Sequence, residues 1–152
     1  MAIQTKTIEQ GSLTRDIKYT EMVFGVSELR QYVVTEAPML RGRRWRHQFN
    51  EKVLPAIEGL MRAQDLEFDN TEDLANLMPL VTGLLSDIID DVVELVITYS
   101  SELEGDREWI EENASEGQLI GAFFDILQLA LPLAEVGSWF GNLSGPKVTT
   151  TS

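Results

Sequence analysis

The sequence predicts a mainly α protein, a compact bundle of four to six helices with a short β-hairpin or arm at its start. Three observations predict it. From Pro79 to Glu102 the pairs Leu80/Val81, Leu84/Leu85, Ile88/Ile89, Val92/Val93 and Leu95/Val96 recur at steps of three or four, the period of one helix face. From Leu119 to Leu131 the apolar residues surround nearly the whole circumference, as in a helix buried on all sides. Residues 1–20 instead alternate Ile3, Thr5 and Thr7 with polar neighbours, around a turn at Gln10-Gly11-Ser12.

The elements follow in order. Residues 1–20 read as a β-hairpin or as an arm that orders on a partner, since an isolated hairpin is marginal in water. Ser27 is placed to cap a helix from Glu28 to about Ala37, with Leu29, Tyr32 and Val33 on one face. Gly42 breaks the chain, and a helical pattern resumes from Arg43 or Arg44 to Arg62 through Trp45, Phe49, Val53 and Ile57. Pro55 lies inside it and predicts a kink or two shorter helices. Gln64 to Asn70 is a polar loop. A short helix then starts at Asn70 or Thr71 and ends before Pro79, which opens the long central helix. Gly105 stops that helix. Asp106 to Asn113 is a short helix or turn that plants Trp109 and Ile110 in the core. Ser115 caps the last helix, Glu116 to about Leu131, and Pro132 ends it.

At 152 residues the chain is long enough for one core. The expected division is an arm (1–20), a helical domain (21–141) and a disordered tail (142–152) poor in apolar residues. No Cys is present, so neither disulfides nor thiolate metal sites arise. The start has no apolar run behind a basic segment, and the most apolar window holds Asp125, Gln128, Pro132 and Glu135. A soluble protein without membrane attachment is expected. Residues 1–62 hold ten Lys and Arg against seven Asp and Glu, a net of +3; residues 63–152 hold two against eighteen, a net of −16. The acidic second part opposes nucleic acid and anionic lipid. The two parts can also attract each other, within one chain or between copies.

The sequence names no catalytic residue, cofactor or metal. His47, the single histidine, stands among arginines, and no nucleophile elbow occurs. Asp87, Asp90, Asp91 and Glu94 superficially match an Asp-rich magnesium motif, but no second ligand cluster accompanies them. The simpler reading is the wet side of an amphipathic helix, or a mate for the arginines. Asp65, Glu67 and Asp69 alternate like a calcium loop, yet Asn70 stands where that loop needs Gly and Asn76 where it needs Glu. Arg41, Arg43, Arg44, Trp45 and Arg46 form the one basic cluster. Its types suit phosphate contact and base stacking, but an acidic protein surface is the preferred mate. Trp45, at helical spacing from Phe49, is read as core. Trp139 and Phe140 are the remaining candidate anchors for a contact.

The segment from Asp87 to Asn142 resembles the C-terminal part of tail assembly chaperones of long-tailed bacteriophages. The resemblance rests on the apolar run LLSDIIDDVVELVITYSSEL, the insertion Asp106 to Asn113, the capping Ser115, and the phrase Ala122 to Leu129, ending near Trp139-Phe140-Gly141. It covers about a third of the chain. It implies a small, mostly helical, non-enzymatic protein that binds the tape-measure protein, the tail-tube subunits or both during tail assembly in the host-cell cytoplasm. A second expectation, from a different class, is a structural adaptor that stays in the virion or pairs with copies of itself. Surplus apolar surface is expected in the second half. If Val92, Val93 and Val96 are covered within one chain, the surplus lies elsewhere, near Trp139 and Phe140.

Overall fold

The computed structural model describes residues 3–64 and 71–131. Trp139, Phe140 and the tail lie outside the described residues, as does most of the Gln64 to Asn70 loop. The fold is mainly α, with a three-stranded antiparallel sheet at its N-terminus in the order β1-β2-β3. The strands are β1 (Gln4–Gln10), β2 (Leu13–Phe24) and β3 (Arg30–Thr35). Helices α1 (Met39–Lys52), α2 (Leu54–Gln64), α3 (Thr71–Asp87), α4 (Ile89–Thr98), α5 (Ser101–Gly105), α6 (Arg107–Asn113) and α7 (Glu116–Ala130) follow.

The expected hairpin is present, but it is two-thirds of a larger sheet. Gly11, at φ +65°, makes the tight turn from β1 to β2. Register runs from Gln4↔Tyr19 to Gln10↔Leu13, and β2 continues past residue 20 to pair Thr20 with Val34 and Phe24 with Arg30. The helix expected over Glu28 to Ala37 is therefore strand β3. Tyr32-Val33-Val34-Thr35 is a β-branched and aromatic run, and Tyr32 and Val34 point inward while Gln31, Val33 and Thr35 are exposed. The period is two, and Leu29, read as part of a helical face, is 66% exposed.

Three helix boundaries also differ. Helix α1 starts at Met39, and Gly42 is buried inside it, donating to the Pro38 carbonyl at 2.9 Å. Pro79 lies within α3 instead of opening a helix. The single central helix expected from 79 to 102 is in three pieces. It breaks at Ile88 (φ −112°, ψ 37°), and again at Ser100, which is extended and caps α5 by accepting from Glu102 N–H at 3.2 Å. The Thr98 hydroxyl donates back to the Glu94 carbonyl at 2.7 Å, a local bond that bends helices. Around Pro55 the chain forms two helices that meet at Val53, as the sequence predicts.

Helix α7 is the centre. Ser115 and Gln118 close a reciprocal capping box at its start. One side packs on β2 and another on α4. Phe123 and Ile126 are fully buried, as are Val92, Leu95, Val96 and Ile97 of α4 and Phe24 and Val34 of the sheet. Val92 and Val96 are thus covered within the chain, and Val93 is half-buried against the same core.

Gln118 also joins helix to sheet. Its amide donates to the Gly25 carbonyl and accepts from Gly25 N–H, both at 3.0 Å. Gly25 has φ +116°, and a Cβ there would stand 1.8 Å from the Glu28 carbonyl oxygen. Gly25→Ala is expected to cost several kcal/mol, about 3 or more, from strain and displaced backbone. Thr20, on the inner face of β2, is fully buried and its hydroxyl has no hydrogen-bond partner. Thr20→Val keeps the shape and removes an unpaired hydroxyl, so it should raise stability by about 1 kcal/mol. Urea unfolding of both variants checks the pair, and a destabilised Thr20→Val would contradict this account of the site.

Candidate functional site

The basic cluster lies on α1, and the structure divides it into two groups. Trp45 and Arg41 are held by the fold. The Trp45 indole is buried and donates to the Leu95 carbonyl at 2.6 Å. It stacks on Phe49 with ring centres 5.5 Å apart and 6° between planes, and meets Tyr99 edge-on at 5.8 Å. Phe123 closes the group from α7, with 6.3 Å between its ring centre and that of Trp45. Trp45 is core, with 2% of its surface exposed. Arg41 donates to the Thr98 carbonyl at 2.8 Å and pairs with Glu104 at 3.3 Å. It satisfies the carbonyl end of α4, where a cation also suits the helix dipole.

Arg43, Arg44 and Arg46 are exposed, and none makes an ion pair among the described residues. Met39 and Leu40, one turn before them, are 73% and 53% exposed. A groove of about 450 Å³ runs beside them, lined by Pro38, Leu40, Arg41, Arg44, Gln48 and Glu104 among others. Cationic heads beside exposed apolar side chains fit an amphipathic, acidic segment of a partner.

Two of the central-helix carboxylates, Asp91 and Glu94, meet cations outside this cluster. Glu94 receives both Arg107 guanidinium nitrogens, at 2.7 and 3.3 Å, a bidentate pair. This hydrogen bond raises the Arg107 pKa against the opposing effect of burial. Asp91 lies 3.8 Å from Lys52 on α1. His47 pairs with Glu51, 3.3 Å away on the exposed side of α1. Among the described residues, no three His, Asp or Glu side chains gather as metal ligands would.

A second polar group joins the sheet to the α5–α6 corner, and no periodicity along the chain marks it. Tyr32 donates to Asp106 at 2.8 Å, and Arg30 reaches the same oxygen at 3.5 Å. The Arg30 guanidinium lies over the Trp109 ring at 4.3 Å, a cation–π contact. Trp109, expected in the core, is half-buried beneath it, while Ile110 is fully buried. The group is legible only once β3 brings residues 30 and 32 to residue 106, some 75 positions away.

Comparison of the chain with family models, with curated proteins and with solved structures found no match.

Two measurements check the division of these side chains. Arg41→Ala should lower stability by about 1 kcal/mol through the lost carbonyl contact. Alanine at Arg43, Arg44 or Arg46 should leave it within about 0.5 kcal/mol of the parent. Burial, then the bond to Asp106, pushes the Tyr32 hydroxyl up to about 12. The neutral phenol is the favoured form, so its stabilisation is complete below the ordinary value of about 10 and is lost as pH rises to about 12. Tyr32→Phe should cost about 1 kcal/mol at neutral pH, and its difference from the parent in urea unfolding should shrink between those two values.

Proposed function

We propose that this chain is a non-catalytic binding protein of the tail assembly chaperone kind, which holds the tape-measure protein while a phage tail is built in the host cytoplasm. The observation that carries it is the exposed face of α1. Arg43, Arg44 and Arg46 are free of ion pairs among the described residues, beside exposed Met39 and Leu40. Arginines consumed by the fold would pair as Arg41 and Arg107 do. These three are placed for a partner, and an acidic, amphipathic helical client matches them in charge and shape. The reading also draws on the resemblance of the segment from Asp87 to Asn142 to such chaperones.

Co-expression with a tape-measure protein tests it. The client should stay soluble and co-purify with the parent chain. The triple variant Arg43→Glu, Arg44→Glu, Arg46→Glu should fold equally well and lose the client. A client equally insoluble with and without the parent chain would refute the reading. Many copies in purified particles would favour the structural adaptor instead, because a chaperone leaves the finished tail.

A further inference from the structure

The sheet has two faces of different character. Helices bury the inner face only where they reach it, at Thr20, Met22 and Phe24 of β2 and at Tyr32 and Val34 of β3. Beyond the helices the inner face turns polar: Thr7 donates to Asp16 at 2.7 Å, with Thr5, Glu9, Thr14 and Lys18 beside them. The outer face does not follow that change. It mixes large apolar side chains with polar ones, Lys6, Arg15, Glu21 and Gln31 among them, and the Lys6 ammonium lies over the Tyr19 ring at 5.2 Å. Leu13 is 71% exposed, Ile8 44%, Val23 43% and Val33 40%, with Ile17 and Tyr19 half-buried between them. Met22-Val23-Phe24 and Tyr32-Val33-Val34 are continuous apolar runs, the composition of strands covered on both faces.

The order of side chains on the outer face of β2 says what covers it. From tip to base they read Leu13, Arg15, Ile17, Tyr19, Glu21, Val23. Reversed, the stripe becomes its own complement: Leu13 meets Val23, Arg15 meets Glu21, and Ile17 meets Tyr19. Each apolar side chain faces an apolar one, and the one cation faces the one anion. Arg15 is exposed and makes no ion pair among the described residues. Glu21 accepts from the Gln31 amide at 3.2 Å and makes no ion pair among the described residues.

We propose that the outer face of the sheet is a dimer interface, on which a second copy of this chain packs face to face with its β2 running in the opposite direction. Two-fold symmetry about an axis lying between the sheets, across the strands near residue 18, produces that pairing and makes the contact isologous. Aligned packing of two antiparallel sheets is a standard arrangement. Twelve residues of β2 span about 40 Å, and since β1 flanks only residues 13–19 of β2 and β3 only residues 19–24, the two-fold pairing gives a contact one to two strands wide, about 300 Å² per partner. That is below the about 800 Å² of a stable interface, so the dimer forms and dissociates with concentration. The surface is separate from the arginine face of α1, and the proposal does not depend on the identity of any client.

Sedimentation equilibrium of the full chain over about a hundredfold range of concentration tests it, with circular dichroism confirming the fold of each variant. The parent should pass from monomer to dimer. Arg15→Glu and Glu21→Arg each place like charges opposite one another twice per dimer, and each should weaken association by about tenfold or more. The double variant, Arg15→Glu with Glu21→Arg, restores both pairs and should restore the parent dissociation constant to within about threefold. A parent that stays monomeric throughout, single variants that dimerise as the parent does, or a double variant as weak as the singles would each overturn the proposal.

Discussion

A helix with apolar side chains almost all round cannot sit at the rim of a fold, because every exposed turn would cost burial energy. Helix α7 is such a helix, and the arrangement of the other elements follows from covering it. The sheet takes one side through Met22, Phe24 and Val34, and α4 takes another through Val92, Leu95 and Val96. Helix α1 reaches the same centre with Trp45 and Phe49, whose rings meet Phe123 of α7. Two directional contacts fix how these layers meet. Gln118 binds the backbone of Gly25 at the end of β2, and the Trp45 indole binds the Leu95 carbonyl of α4.

Once α7 is covered, the surface left over has a definite place. The central helix stripe that seemed too wide for one chain is enclosed at Val92 and Val96. Among the described residues, the exposed large apolar groups lie mostly on the outer face of the sheet, in the β2–β3 connection at Val26 and Leu29, and at the start of α1. The sheet face and the start of α1 differ in chemistry. Along β2 the first alternates apolar groups with one cation and one anion, the pattern on which the proposed self-pairing rests. The second joins arginines to Met39 and Leu40, and so suits an acidic partner. The two regions stand on separate elements, the sheet and α1.

Much of the fold is legible in the sequence where one period dominates. The all-round apolar pattern marks α7, the Ser115 cap marks its start, and Pro55 marks the division of α1 from α2. Strand β3 is hidden because Leu29, Tyr32, Val33 and Ala37 also fit a helical spacing, and six residues are too few for the period to decide. The β-branched run Val33-Val34-Thr35 was the signal that favours a strand. The break at Ser100 comes with local hydrogen bonds, from Thr98 to Glu94 and from Glu102 to Ser100, and neither it nor the break at Ile88 interrupts the apolar period. Of the candidate site, the arginine cluster is legible as a cluster. Its division into Arg41 and Trp45, held by the fold, and Arg43, Arg44 and Arg46, without an ion pair among the described residues, depends on where α4 and Glu104 arrive.

Native-state hydrogen exchange at high dilution, resolved by residue, tests most directly whether α7 is the joint of the whole fold. Amides of α7, of α4 and of the base of β2 from Thr20 to Phe24 should exchange only through global unfolding, with one common free energy. Amides from Gln4 to Lys18, beyond the helices, should exchange through a smaller opening. If the base of β2 opened well below the global free energy while α7 stayed protected, sheet and helices would be separate units, and the account of α7 as their common centre would fail.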